Sequence, residues 1–354
     1  MKIAVLADTH SGARNSSDIF LNYHARFYSE VFFPYCDKHG IKQILHLGDY
    51  YDHRKFINFK ALNHNRKVFL EPMRARGMTM DIIPGNHDVA YKNTNDLCSL
   101  KELLGFFIKD VNIIMKPRVM SYDSCNIALM PWINAENYVD SMKFLETCNA
   151  SILGAHLELQ GFEVMKGLPA AHGMSPDIFK KFEMVWTGHY HTKQQRGNIN
   201  YFGCPYEMFW NDSDDPKYFH VFDTVTREVT PVRNPLTIYT KLFYDDRKFN
   251  YDQFDASKLK DNFIKVVVTS KSDVGQFDRF IETIQKQEVH EIKIAENYDE
   301  FIGENVADED VENVSDTSVL LDSYVDAVDT ELNKEVIKTK LRELYVEAQN
   351  SEIV

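Results

Sequence analysis

Short apolar runs recur through the first half of the chain, and each stops at a polar cluster. Positions 3–7, 43–47, 80–83, 151–155 and 184–187 are four or five residues long, a length that suits strands better than helices. Between the first three runs lie helix-like segments at about 18–38 and 59–76, which end before Gly40 and Gly77, with glycine where a helix stops. Strand, helix, strand at this spacing predicts βαβ units and parallel pairing. Sheets of that kind bind ligands beyond the carboxyl ends of their strands. What lies there is Asp8-Thr9-His10, Gly48-Asp49-Tyr50-Tyr51-Asp52, Gly85-Asn86-His87-Asp88, His156, and Gly188-His189-Tyr190-His191.

Singly these motifs are weak, but in this order they describe one site. Divalent ions such as Mn²⁺ accept mixed carboxylate and imidazole ligands, and one carboxylate can bridge two ions about 3.5 to 4 Å apart. Asp49 is the expected bridge. In an extended strand residues i and i+2 share a side, so Asp8 and His10 can meet one ion while His189 and His191 approach the pair from the opposite wall. Asn86 would add a carbonyl oxygen and His156 a nitrogen. Two ions so held lower the pKa of a water to about 7 and stabilise an in-line displacement at phosphorus, which is phosphoester hydrolysis. His87 is kept out of the ligand set as the catalytic residue, placed to meet the substrate phosphate, with Asp88 to orient it. His53, Arg54 and His172 are candidates for substrate contact, because a cation beside the site suits a phosphodiester. His46 reads as a strand residue packed beneath the site, and His24, His39, His64, His220 and His290 as ordinary core or surface side chains.

At this point the chain resembles the calcineurin-like metallophosphoesterase superfamily. Within it, the chain resembles the SbcD-type DNA repair nucleases, notably the recombination endonuclease subunits of T-even-like tailed bacteriophages. The motifs carry that resemblance together with the stretches 48–55, 156–162, 201–205, 215–219 and 222–224. It implies an α/β fold: a four-layer-type metallophosphoesterase β-sandwich flanked by helices, with a small α/β capping domain and a C-terminal helical pair. Carried over by position, one ion would have Asp8, His10, Asp49 and His191, and the other Asp49, Asn86, His156 and His189, with His87 on the family's catalytic histidine. Ser11 stands where many relatives have Leu, and Cys204 where Ser or Thr is common; neither removes a ligand. The implied activity is a Mn-dependent DNA nuclease, exonuclease or endonuclease, serving recombination and double-strand-break repair beside a coiled-coil ABC-type ATPase subunit. The family also dimerises through helices near 59–76 and 96–104.

Residues 1–235 are read as the nuclease domain. Residues 236–295 read as a small α/β module, with strands at 238–243, 264–269 and 291–295 and a helix at 274–287, which the resemblance implies is a capping domain and which could equally buttress the core. Residues 296–316 hold nine acidic residues and no Lys or Arg, so most of the net charge of −13 sits in what reads as a flexible linker. Residues 317–354 return to helical periodicity at 318–328 and 334–349, two short amphipathic helices suited to a partner surface. Without clustered Lys and Arg, tight autonomous binding of DNA is not expected, so the metals or a partner must supply the grip.

Five cysteines, Cys36, Cys98, Cys125, Cys148 and Cys204, show no close pairing and read as reduced thiols. The first apolar run is too short for a signal peptide and no other run could span a bilayer. The expectation is a soluble cytoplasmic protein, in the bacterial host if phage-encoded. Two alternatives stay open: a stand-alone phosphatase or small phosphodiesterase, since the Gly48–Asp52 and Gly85–Asp88 motifs are shared across the superfamily, and a scaffold that only recruits the ATPase. Protein phosphatases usually carry Asp-Arg-Gly after the second motif and Glu in place of Asp88. Asp52-His53-Arg54 and Asp88 therefore favour the nuclease, and an intact ligand set disfavours the scaffold.

Overall fold

The computed structural model describes residues 1–105, 109–165, 168–170, 172–295, 325, 333–338 and 340–341. The chain divides into two units: Met1–Met208 with Asp212–Tyr239, and Phe209–Asn211 with the residues from Thr240 onward.

In the first unit, two six-stranded sheets share an apolar core. One runs in spatial order Val229–Arg233, Tyr218–Asp223, Lys2–Leu6, Gln43–His46, Thr79–Ile82, Val111–Ile113. The other runs Gln194–Arg196, Ile199–Tyr201, Met184–Gly188, Ile152–His156, Cys125–Met130, Arg118–Tyr122. The expected parallel pairing holds: Lys2–Leu6 lies parallel to Gln43–His46, which lies parallel to Thr79–Ile82. Side-chain alternation sorts the residues into layers. Ile3, Val5, Ala7, Leu45, Ile127, Leu129 and Trp186 meet between the sheets. Ala128, Met130, Leu153 and Val185 face outward and pack with Leu145 of the helix Tyr138–Thr147 and with Phe179. Ala4, Leu6 and Ile44, on the other outer face, are equally buried. Strands buried on both faces must be apolar at nearly every position, which is why these read as continuous runs.

The helical run Asp18–His39 contains a π-type stretch at Phe27–Phe32 and ends at Gly40, whose φ of 64° suits glycine. The second run begins at Phe59, where Asn58 accepts a capping bond from Lys60 N at 2.8 Å, and continues to Ala75. The expected helix at 96–104 is only half present. Thr94–Cys98 is a strand paired antiparallel with Val89–Tyr91, and the helix is Ser99–Leu104. Asn95 holds that strand in place, bonding the Trp132 carbonyl and the Asn134 side chain.

The second unit contains a three-stranded sheet, Tyr239–Asp245, Phe263–Ser270 and Glu291–Ala295, with the last two parallel and joined through the helix Val274–Gln285. Asp273 caps that helix by accepting from Gln276 N at 2.9 Å. Tyr244, Ile264, Val266, Phe277, Phe280 and Ile284 form its core. The linker at 296–316 and most of the C-terminal helical pair lie outside the described residues; within it, 334–338 are helical. Among the described residues no helix is long and apolar enough to cross a membrane.

His220 lies in the first unit, its ring stacked on Phe202 at 3.9 Å, with neither nitrogen hydrogen-bonded. Burial pushes its pKa from 6.5 down to about 3. The folded ring is therefore neutral while the unfolded one takes a proton below 6.5, so stability falls with pH through that window. His220→Phe is expected to recover roughly 2 kcal/mol of stability at pH 5 relative to its effect at pH 8, read from urea melts at both pH values.

Candidate active site

The polar segments that follow the strands converge at one end of the two sheets. Asp8, Asp49 and Asn86 come from turns after Lys2–Leu6, Gln43–His46 and Thr79–Ile82, His156 closes Ile152–His156, and His189 and His191 follow Met184–Gly188. The chain bends hard to deliver them. Asp8, His10, Asp49 and His189 all have positive φ, at 49°, 38°, 53° and 95°, a conformation that costs such residues about 1–3 kcal/mol each and persists only where the surroundings over-determine it. Here they do: Asp8 N donates to the Gly48 carbonyl (3.1 Å), His10 N to the Asp49 carbonyl (3.0 Å), His189 N to Asp8 Oδ1 (2.8 Å) and His87 N to Asp49 Oδ1 (2.7 Å). The crowding leaves no room for a side chain at Gly85, where a Cβ would sit 2.2 Å from Asp49 Oδ1. The extended i, i+2 geometry expected for Asp8 and His10 is therefore replaced by a left-handed turn. The two residues meet all the same.

Among the described residues three groups have donor atoms within 4.8 Å of one another: Asp8, His10 and His191 form the first, Asp49, His156 and His189 the second, and His10, Asp52 and His87 a third that shares His10 with the first. In the first, His10 Nε2 lies 3.2 Å from His191 Nε2. In the second, Asn86 Oδ1 lies 2.9 Å from both His156 Nε2 and His189 Nδ1. Asp49 Oδ2 stands between them, 3.8 Å from His10 Nε2 and 3.3 Å from His156 Nε2. Ring nitrogens that face each other, an amide oxygen facing two of them, and the buried, unbonded Asp8 Oδ2 make an electron-rich array that a pair of cations would satisfy. Its oxygen and imidazole donors suit Mn²⁺-like ions. Turned over, the Asn86 amide would instead donate to His156, His189 and Asp49 and accept from Arg54 Nη2 at 3.0 Å; only the orientation with oxygen inward offers a ligand.

A surrounding layer sets the rings. His156 Nδ1 donates to the Leu47 carbonyl at 2.8 Å, which turns Nε2 toward Asn86 and Asp49. His10 Nδ1 faces Asp52 Oδ1 at 3.3 Å, and His87 Nδ1 donates to the Asp52 carbonyl at 2.6 Å. Asp52 thus braces two site histidines, a role its place in the Gly48–Asp52 motif does not announce. Asp88 does not take the expected position on His87. Its buried carboxylate accepts from the backbone of Tyr50, Tyr51 and Gly85 and so fastens the two loops together. His46 sits beneath the site, with Nε2 2.9 Å from Thr9 Oγ1.

Burial dominates the electrostatics. It raises Asp8 to about 7, against the pull of His156 and helped by Asp49. At Asp49 the same penalty is outweighed by His156, His87 and His10, which hold its carboxyl well below the usual range. His10 and His156 are carried to about 9 despite burial, the first by Asp52 and Asp49, the second by Asp49. His189 falls to about 3 through burial and the nearby His156, and burial also lowers His87. Of the candidates for substrate contact, Arg54 comes within reach of Asn86, and His53 Nε2 lies 3.6 Å from Asp52 Oδ2. His172 is exposed.

A conserved-sequence model of the calcineurin-like phosphoesterase family matches residues 1–270. The chain is 30% identical over 351 residues to exonuclease subunit 1 of Enterobacteria phage T4, covering 98% of this chain and 99% of that one. Solved structures to which the chain shows similarity include an archaeal phosphodiesterase (13% identity, TM-score 0.34, 66% of this chain and 100% of that one). A Pseudomonas putida nuclease, MPE, is also similar (16% identity, TM-score 0.28, 65% of this chain and 87% of that one). With the family model spanning most of the chain and a full-length relative at this identity, the chain belongs to the calcineurin-like phosphoesterase family of metal-dependent phosphate-ester hydrolases.

Proposed function

We propose that this protein is a two-metal DNA nuclease that hydrolyses phosphodiester bonds in recombination and double-strand-break repair, with Mn²⁺ as its preferred ion. The observation that carries the reading is the position of Asp49 Oδ2 between the two ligand clusters, joined to full-length similarity with a phage exonuclease subunit. Asp8, His10, Asp49 and His191 would hold one ion, and Asp49, Asn86, His156 and His189 the other. Two ions there would generate a nucleophile from water near neutral pH and stabilise charge at phosphorus. The protein's part is positional. The Leu47 carbonyl and Asp52 fix the rings of His156 and His10, and the backbone N–H of His87 holds Asp49 in register. His87 keeps its proton on Nδ1, against the Asp52 carbonyl, so Nε2 faces the substrate; an arriving phosphate anion favours protonation there, and the ring then donates to the departing sugar oxygen. Arg54 and His53 offset phosphate charge at the rim.

The domain scheme follows: residues 1–235 as nuclease, 236–295 as cap, 296–316 as tether and 317–354 as the segment that binds a coiled-coil ATPase, with the nuclease itself dimeric. End-labelled duplex DNA with a single-stranded overhang, incubated with Mn²⁺ beside a generic phosphomonoester, tests the chemistry. Shortening of the DNA supports the nuclease; turnover of the monoester alone, even after an ATPase is added, moves the protein to the phosphatase branch. Truncation at about residue 313 is expected to keep Mn-dependent cleavage and abolish co-purification with the ATPase. Retained co-purification would sink the tether.

A further inference from the structure

Immediately after Asp52 the chain turns outward into a short irregular loop, 53–58. There the His53 ring lies face to face with Phe56, with centroids 4.6 Å apart and planes 23° from parallel. Phe56 is 67% exposed. A phenylalanine ring that open to water gains little from folding, and the loop is anchored where chemistry is expected. Asp52, the residue before it, holds the His87 ring through its carbonyl and His10 through its carboxylate. Between the two stacked rings in sequence stand Arg54 and Lys55, neither with an ion-pair partner among the described residues. Arg54 Nη2 reaches to 3.0 Å from the Asn86 amide, and Lys55 is exposed.

Two cations outside any ion pair and an open aromatic face, one residue beyond the brace of the site, match one kind of ligand: phosphates in series with flat rings between them. We propose that the His53–Phe56 pair is a stacking platform for an unpaired nucleobase next to the scissile phosphate. The nuclease would therefore prefer single-stranded or frayed DNA at the point of cleavage. This rests on the DNA-nuclease reading above and adds the strandedness of its substrate. A base inside a duplex has both faces covered by its neighbours, so only an unpaired or terminal base can lie on Phe56. Stacking on an aromatic side chain tolerates every base, which predicts strand preference without sequence preference.

A double-mutant cycle tests the platform. The full-length protein with Mn²⁺ is given single-stranded oligonucleotides, each with one abasic residue at successive positions from the end. At one register the wild type is expected to lose about 5- to 150-fold in kcat/KM, the factor that base–aromatic stacking carries. Phe56→Ala should show the same loss on the intact strand, and at that register the abasic residue should then cost less than about twofold more, the mark of two deletions that remove one interaction. Phe56→Trp should restore the wild-type pattern. Because Phe56 is exposed, thermal melts should show all three proteins folded. An abasic penalty equal in wild type and Phe56→Ala overturns the platform, as does a Phe56→Ala protein whose only change is dissociation of a dimer. If neither protein cuts any strand, the DNA-nuclease reading itself fails.

Discussion

Replacing His87 with alanine is expected to lower turnover by about 10²- to 10⁴-fold, the range carried by a positioned acid–base group, while leaving metal binding close to wild type. The separation follows from which part of His87 does what. Its backbone N–H, retained in the variant, donates to Asp49 Oδ1 at 2.7 Å and so keeps the bridging carboxylate in place. Among the described residues its ring bonds only the Asp52 carbonyl, and it packs edge-on against His10 at 4.8 Å. Burial lowers its pKa, with nearby His10 adding to the effect against the pull of Asp49, so the ring is neutral until an anionic substrate arrives. Mn²⁺ titration by calorimetry beside steady-state DNA cleavage checks the claim. Equal loss of both would make His87 a ligand.

The second large effect is expected at Lys217. Its side chain is 3% exposed, and Nζ pairs with Asp212, with Asp215 Oδ2 at 2.8 Å and with the His191 carbonyl at 3.3 Å. The same carbonyl accepts from Cys204 N at 3.1 Å. Despite burial, Asp212, Cys204 and Asp215 hold the ammonium charged, well above its ordinary pKa. Lys217→Met removes the cation and leaves the buried Asp212 and the partly exposed Asp215 without it, which costs about 3–5 kcal/mol where an exposed lysine would cost under about 0.5. Urea unfolding reads that loss directly. Adding Asp212→Asn and Asp215→Asn to the variant should recover most of it, because the penalty comes from stranded charge more than from a missing attraction. No recovery would mean that Lys217 acts through packing.

Much of this site could be read from the chain because ligands at strand ends leave a local signature: an apolar run, then Asp, His or Asn. Five such junctions gave the strands at Lys2–Leu6, Gln43–His46, Thr79–Ile82, Ile152–His156 and Met184–Gly188 to within one or two residues. Several first-unit strands that end at no chemistry were silent, whereas those of the second unit, Tyr239–Asp245, Phe263–Ser270 and Glu291–Ala295, showed as apolar runs of their own. Arg118–Tyr122 is an edge strand with exposed positions, and Tyr218–Asp223 pairs antiparallel with the first strand although the two lie far apart along the chain. The braces were hidden for a different reason. Asp52 bonds His10 and His87 through a turn whose left-handed residues cannot be inferred from an extended pattern, and Lys217 is one lysine among many until the His191 loop folds over it. At 96–98, backbone pairing with Val89–Tyr91, in a strand that Asn95 ties to the Trp132 carbonyl, overrode a stretch read as helix.

The measurement that bears most directly on the two-metal reading is anomalous diffraction at the manganese edge from crystals grown with Mn²⁺. Two peaks about 3.5 to 4 Å apart are expected, one among Asp8, His10 and His191, the other among Asn86, His156 and His189, with Asp49 between them. A single peak, or a peak seated among His10, Asp52 and His87, the third group whose donor atoms lie within 4.8 Å, would contradict it.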